Sequence, residues 1–266
     1  MDIIINSSLS LLCKEAGEVK NYYQNILTCM GYSSNNPPVA DLLRRYHNLE
    51  GEWMIASPIH WQATHNDAMV MACDEALDLP DLESRRWFAA LSKFLKHDPV
   101  KLHYHDPYTW LIQFEESPPL EAKPVHQLLQ QSMMQQLHVF DDTLFWTRFI
   151  TENQMFFSDH PLNKARAGRY PLNGLWIWGG GELNERSARP FICNDEAGCD
   201  LARLLTTDVS RYAADKKLPQ KAVLLFADFD KQQASSFEKY TVNWYWNNAA
   251  YITKPRNLFS RLFLKK

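Results

Sequence analysis

No Cys-x-x-Cys pair occurs in this chain of 266 residues, and its five cysteines, Cys13, Cys29, Cys73, Cys193 and Cys199, are scattered and odd in number. The pattern gives neither a disulfide framework nor a zinc knuckle, so the cysteines read as reduced core thiols. An excess of charge of one sign is also missing, since 28 lysines and arginines face 31 aspartates and glutamates. Without a global field to concentrate polyanions, nucleic-acid binding is not expected. Charged or amide residues interrupt every apolar run before it reaches the roughly 20 residues needed to cross a bilayer, so no transmembrane segment is expected. The apolar start MDIIINSSLSLL carries Asp2 where a secretory signal carries basic charge, and no A-x-A pattern follows. It reads as a buried strand of a soluble, cytoplasmic protein. The sequence also lacks G-x-x-x-x-G-K-[ST], G-x-G-x-x-G and G-x-S-x-G, the signatures of a P-loop, a dinucleotide site and a hydrolase elbow.

What is present is apolar mass. A content of 45% hydrophobic and 13% aromatic residues supports a sizeable core, in one large domain or two lobes. After the first strand, Leu12, Val19, Tyr23 and Ile26 can share a helical face up to about Met30, and a second helix is expected over Val39 to His47. The alternation of Trp53, Ile55, Ile59 and Trp61, then Ala68 to Cys73 beyond the turn at 64–67, predicts a β-hairpin. Pro58 places its strand at an edge or a bulge. A helix from Asp81, capped by that residue, fits the spacing of Phe88, Leu91 and Leu95, and two strands follow around Asp106-Pro107. Residues 53 to 114 therefore read ββαββ. Helices are expected over Val125 to His138, Asp142 to Phe157, Leu201 to Tyr212 and Phe237 to Trp246, with strands at Leu175 to Trp178 and Ala222 to Ala227.

The most distinctive segment is HPLNKARAGRYPLNGLWIWGGG, His160 to Gly181. Asn163, Lys164, Arg166 and Asn173 supply amide and cationic donors around a turn. Gly179, Gly180 and Gly181 let backbone N–H groups approach an anion. A phosphate or carboxylate small molecule fits such a site. The plainer reading comes first: the glycines make a tight strand exit, and Asn163 and Asn173 tie down loop backbone.

This segment resembles the H-P-x-N-x-x-R and N-x-x-W-x-W-G-x-G pattern of archaeal-type cofactor-independent phosphoglycerate mutases. It is closer still to a bacterial family of mutase-like proteins labelled RpfE-type regulatory proteins. ASPIHWQATHNDAMVM, which looks like that family's A-D-P-V-H segment, and Glu152-Asn153-Gln154-Met155 support the resemblance. It implies an α/β fold with a mixed sheet, of degenerate alkaline-phosphatase-like architecture. Residues 1–49 and 174–266 would form the core lobe, and 50–173 an inserted lobe containing the ββαββ unit and helices.

The resembling mutases move a phosphoryl group with two divalent metals and a serine nucleophile, which requires clustered carboxylates and histidines. Here the first strand is followed by Asn6-Ser7-Ser8, no aspartate precedes Asp41 after it, and no histidine lies beyond His160. No catalytic residue and no cofactor is therefore assigned, and the expected function is a regulatory or anion-binding module. The alternative is a phosphoryl-transfer enzyme whose rearranged metal site uses Asp228 and Asp230 with His60 or His160.

Other clusters carry weaker signals. His103 and His105 share a strand face with Asp106 nearby, but two ligands and a neighbour are too few for a metal. His60, His65 and Asp67 surround the hairpin turn. Tyr240, Trp244, Tyr245 and Trp246 could present a protein-binding surface or pack in the core. Lys254, Arg256, Arg261, Lys265 and Lys266 punctuate Leu258, Phe259, Leu262 and Phe263 in a basic amphipathic tail, which suits an anionic surface, a protein partner or docking on the domain.

Overall fold

The computed structural model describes residues 1–9, 20–63, 68–133 and 143–255. The chain opens with β1 (Asp2–Ile5) and α1 (Tyr22–Cys29), which Asn21 and Gln24 start with a reciprocal capping box. Next come α2 (Val39–Tyr46), β2 (Met54–Ala63), β3 (Ala68–Cys73), α3 (Asp81–Phe94), β4 (Val100–Asp106), β5 (Thr109–Phe114), α4 (Phe145–Ser158) and β6 (Gly174–Trp178). The remainder holds β7 (Phe191–Cys193), α5 (Glu196–Leu205), β8 (Val209–Arg211), β9 (Val223–Phe226), β10 (Val242–Tyr245) and β11 (Ala250–Thr253). The fold is mixed α/β.

Two compact units result. Met1–Tyr32 with Leu183–Lys266 forms the first, and Ser33–Glu182 the second. The junctions differ from the expected 49/50 and 173/174. β6 pairs with β2 from Gly174 to Trp178, and Ala40 N donates to Gly179 O, so residues 33–49 and 174–182 belong with the middle of the chain.

In the first unit a mixed six-stranded sheet runs β11-β10-β1-β9-β7-β8. All its pairings are parallel except β10 with β11. The continuous apolar stretch Ile3-Ile4-Ile5 suits a central parallel strand buried on both faces, and all three residues are fully buried. Ile3, Ile5, Leu224, Phe226, Phe237, Val242 and Trp244 share one core.

The second unit carries an antiparallel sheet, β3-β2-β5-β4, with β6 also paired to β2. The ββαββ order expected over 53–114 is present here. Pro58 lies between the part of β2 paired with β5, Met54 to Ala56, and the part paired with β3, from Ile59 onward. Neither of those ladders runs through it, whereas the β2–β6 ladder does, with Pro58 opposite Leu175, and a register shift follows at His60/Trp61. Trp87, Trp110, Trp146, Trp176 and Trp178 are all fully buried, each contributing roughly 1.5–3 kcal/mol of hydrophobic stabilisation. Four of the five indoles donate inward: Trp110 to Ser84, Trp146 to Pro118 O, Trp176 to Lys123 O and Trp178 to Ser57.

Three expected helices end differently. Of the stretch Val125 to His138 the described residues end at Met133, and among them Val125–Leu128 winds as a 3-10 turn. Leu129 and Ser132 instead bridge β3, and Gln130 takes a positive φ. The α5 helix stops at Leu205, and Val209 to Arg211 pairs with β7 as a strand. Over Phe237 to Trp246 the chain leaves a 3-10 turn at Phe237 and becomes β10, where Val242 and Trp244 face the core at a spacing of two. Asp81 is the first residue of α3, not its cap, and its carboxylate pairs with Arg85.

Candidate ligand-binding site

The distinctive segment begins with a 3-10 turn, Pro161–Arg166, which His160 starts by accepting a hydrogen bond from Leu162 N at 3.3 Å. The His160 ring packs on Trp87 and Phe156. Asn163 Nδ2 donates to Phe157 O and Leu172 O, each at 2.8 Å, and its Oδ1 accepts from Leu172 N at 2.9 Å. Asn173 makes the same kind of clamp on β2: Oδ1 accepts from Trp61 N at 2.9 Å and Nδ2 donates to Trp61 O at 2.6 Å. The fully buried Arg166 side chain donates to Tyr170 O, Glu83 and Leu77 O. Lys164 is exposed. Asn163, Arg166 and Asn173 thus have their polar atoms engaged by protein groups that hold residues 157–173 against β2 and α3.

Gly179, Gly180 and Gly181 lie beyond the other end of β6. Six residue steps at about 3.3 Å each place Gly179 roughly 20 Å along the strand from Asn173, so the two halves of the segment do not form one anion cradle. Gly179 (φ +76) and Gly181 (φ +103) occupy conformations that disfavour side chains, and a Cβ on Gly179 would meet Ile55 Cγ1 at 3.0 Å.

The glycine turn borders a cavity of ≈ 560 Å³. Arg44, Arg45 and Asp41 of α2 line it, with Trp53, the Ser117–Glu121 stretch and Glu182. Asp41 Oδ1 accepts from Arg44 Nε at 2.7 Å and Nη2 at 2.6 Å, while Oδ2 pairs with Arg45 Nη2 at 2.9 Å. Two guanidinium groups therefore share one largely buried carboxylate. Sequence reasoning missed this cavity, although the i, i+3 and i, i+4 spacing of Asp41 with Arg44 and Arg45 was there to be read.

His103 and His105 share the face of β4 as expected, and a third imidazole joins them from the end of α2. His47 Nε2 lies 2.8 Å from His105 Nδ1, and the His47 and His103 ring centroids are 4.4 Å apart. Burial, then the charges of His47 and His103, pushes the His105 pKa down to about 3. Burial also lowers His47 and His103, and the cluster is neutral at ordinary pH.

His60 contacts Pro171 O at 3.0 Å and stacks on Tyr170, while His65 and Asp67 lie outside the described residues. In the first unit, the carboxyl ends of β1, β9, β7 and β10 form one edge of the parallel sheet, where ligands of such sheets bind. Asn6 and Ser7 follow β1. Asn194 follows β7 and clamps the β9 exit, its Oδ1 accepting from Ala227 N at 3.0 Å and its Nδ2 donating to Asp228 O at 3.1 Å. Asn248 holds Leu9 in the same way, accepting from its N–H at 2.7 Å and donating to its carbonyl at 2.9 Å. Asp228 and Asp230 are exposed on this edge, and Asp195 accepts from Gly198 N as the cap of α5. Trp244 and Trp246 are buried, and Tyr240 packs against the same core. Of the basic tail only Lys254 is within the described residues, and no helix among them is long and apolar enough to cross a membrane.

No family model and no curated protein matches the chain. Among solved structures, the cofactor-independent phosphoglycerate mutase from Thermoplasma acidophilum is similar at 12% identity and a TM-score of 0.36, covering 94% of this chain and 88% of that one.

Proposed function

We propose that this is a phosphoglycerate-mutase-like protein of degenerate alkaline-phosphatase type, related to the RpfE-type proteins. In this reading it has no metal-dependent catalytic site and acts as a regulatory module that binds a small phosphorylated or carboxylate ligand. The His160–Gly181 segment supports the relationship. The observation that carries the function is the chemistry of the sheet edge. Two-metal phosphoryl transfer needs carboxylates and imidazoles around both ions. This edge instead carries Asn194 and Asn248, whose amides hydrogen-bond loop backbone. Among the described residues of this edge, Asp228 and Asp230, with Asp195 engaged as the cap of α5, are too few to hold a pair of cations.

The ligand is assigned to the cavity beside Arg44, Arg45 and the Gly180–Gly181 turn. Glu52, Glu121 and Glu182 line it too, so it suits an acid that also carries hydroxyl donors. A phosphorylated three-carbon hydroxy acid has that character. The test is calorimetric titration with 2- and 3-phosphoglycerate beside an interconversion assay in manganese. Saturable binding without interconversion is the expected result. Interconversion would overturn the reading in favour of an enzyme.

A further inference from the structure

The second unit contains a polar cluster that neither the His160–Gly181 segment nor the cavity uses. β3 ends at Cys73, Asp74 opens the 3-10 turn Asp74–Leu77, and His126 stands in the turn Val125–Leu128. The bridge between Val70 and Leu129, with the hydrogen bond from Gln130 N to Val70 O at 2.9 Å, fixes the second turn against the strand. One ligand atom from each of Cys73, Asp74 and His126 lies within 4.8 Å of the other two.

The imidazole is the informative member. Its side chain is 1% exposed, and its Nδ1 stands 2.9 Å from Asp74 Oδ2. Neither ring nitrogen nevertheless has a hydrogen bond of acceptable geometry. A buried polar ring left in that condition is costly unless something else satisfies it. Two ligands each about 2 Å from a shared ion stand roughly 3 Å apart, which matches the separation of His126 and Asp74. Asp74 takes a φ of +48, a conformation aspartate tolerates better than most residues. Trp178 lies edge-on to His126 at 6.0 Å, and Val125 and Leu128 are buried beside it. This apolar surround covers the imidazole side of the cluster, while Asp74, 29% exposed, faces solvent.

We propose that Cys73, Asp74 and His126 form a binding site for a thiophilic divalent cation of the zinc class, with three protein ligands and a fourth position open. A mixed sulfur, nitrogen and oxygen set selects such an ion over magnesium or calcium, which prefer oxygen ligands. On binding, the Cys73 S–H bond breaks, its proton passes to solvent, and the thiolate pair forms the bond to the metal. The same residues do not make a working cysteine nucleophile, because Cys73 is 3% exposed and a substrate carbonyl has no approach to it. The bound ion would tie the end of β3 to the Val125–Leu128 turn. The site uses none of Asp228, Asp230, His60 and His160, and does not depend on the function proposed above.

The test is titration of the reduced, chelator-treated full-length protein with cobalt(II), followed by zinc. The expected result is one equivalent of cobalt with visible d–d bands and a thiolate-to-cobalt charge-transfer band, displaced by zinc with a rise in Tm. Cys73→Ser should abolish the charge-transfer band, and His126→Gln should weaken binding about tenfold or more. If His126→Gln fails to fold, Asp74→Asn serves as the second ligand variant, with the same weakening expected. Absence of stoichiometric cobalt binding would overturn the assignment. So would a charge-transfer band that survives in Cys73→Ser, or d–d bands without any charge transfer, which would place the ion on imidazoles such as His47 and His105.

Discussion

Arg166 and Glu83 form an ion pair in which the guanidinium side chain has no solvent exposure and the carboxylate keeps 18%. Arg169 Nη1 shares the same carboxylate at 2.9 Å. The pair joins the turn after α4 to the first turn of α3. Here the acid also complements the positive end of the helix dipole.

Arg166→Ala is therefore expected to behave as a folding lesion. It removes a buried charge and leaves Tyr170 O, Leu77 O and part of Glu83 without donors. Breaking a buried pair from one side costs about 3–5 kcal/mol. Urea denaturation followed by tryptophan fluorescence should show that loss as a lower midpoint. An unchanged midpoint, with weakened phosphate binding, would return Arg166 to the ligand site.

Asn163 gives a sharper discrimination. Both of its amide hydrogens point at carbonyls and its oxygen faces an N–H, so the geometry specifies an amide. Asn163→Ala is expected to cost about 1–3 kcal/mol. Asn163→Asp should cost more, since a carboxylate would face Phe157 O and Leu172 O without donors. Chemical denaturation of the two variants checks the order. An aspartate variant as stable as the parent would contradict the clamp.

Local periodicity made much of the second unit legible. Phe88, Leu91 and Leu95 recur at helical intervals, although Trp87 rather than Phe88 is the fully buried residue of that turn, and the alternating residues of β2 and β5 flank turns rich in Asn, Asp and Pro. Where two patterns coexist, tertiary pairing decides. Val242 to Tyr245 is apolar enough for a helix, but β1 offers its backbone a parallel partner. The distinctive segment was legible as a motif and ambiguous as chemistry, because amides and a guanidinium suit a ligand or a loop carbonyl equally. Convergences such as His47 with His105, or Cys73 with His126, join residues far apart in sequence and leave no periodic trace.

The histidine cluster should make stability depend on pH. His105, 12% exposed, has its pKa pushed down to about 3 from an unfolded value near 6.5. Its contribution is fully present above about pH 6.5 and is lost as the pH falls toward about 3, because only the unfolded chain takes up the proton. His47 and His103, also lowered, act in the same direction. Asp106, 3.7 Å from the His105 ring, opposes them. Burial chiefly pushes its carboxyl up to about 6, so between about pH 3.9 and 6 it contributes stability that declines as the pH rises. Urea midpoints for the parent should fall between pH 7 and pH 4, and His105→Gln should fall less. Identical profiles would mean that His105 accepts its proton in the folded state.

The cavity offers the most direct test of ligand binding, because Asp41 already occupies the two cations an anion needs. Any phosphate or carboxylate that enters must compete with a carboxylate only 8% exposed, held by Arg44 at 2.6 Å and Arg45 at 2.9 Å. Asp41→Asn keeps the shape and removes that competitor. Arg44 Nη1 remains anchored to Leu49 O at 3.1 Å. The variant should lose about 1–3 kcal/mol of stability while binding 3-phosphoglycerate about tenfold more tightly, since one charge-assisted contact is worth at least that factor. Arg45→Ala, which removes a cation and leaves Arg44 with Asp41, should weaken the same ligand by a similar factor. Calorimetry at two salt concentrations separates a guanidinium-bound anion, whose affinity falls with salt, from a ligand held by hydroxyl contacts alone. If neither substitution moves the affinity, the ligand does not sit between α2 and the glycine turn.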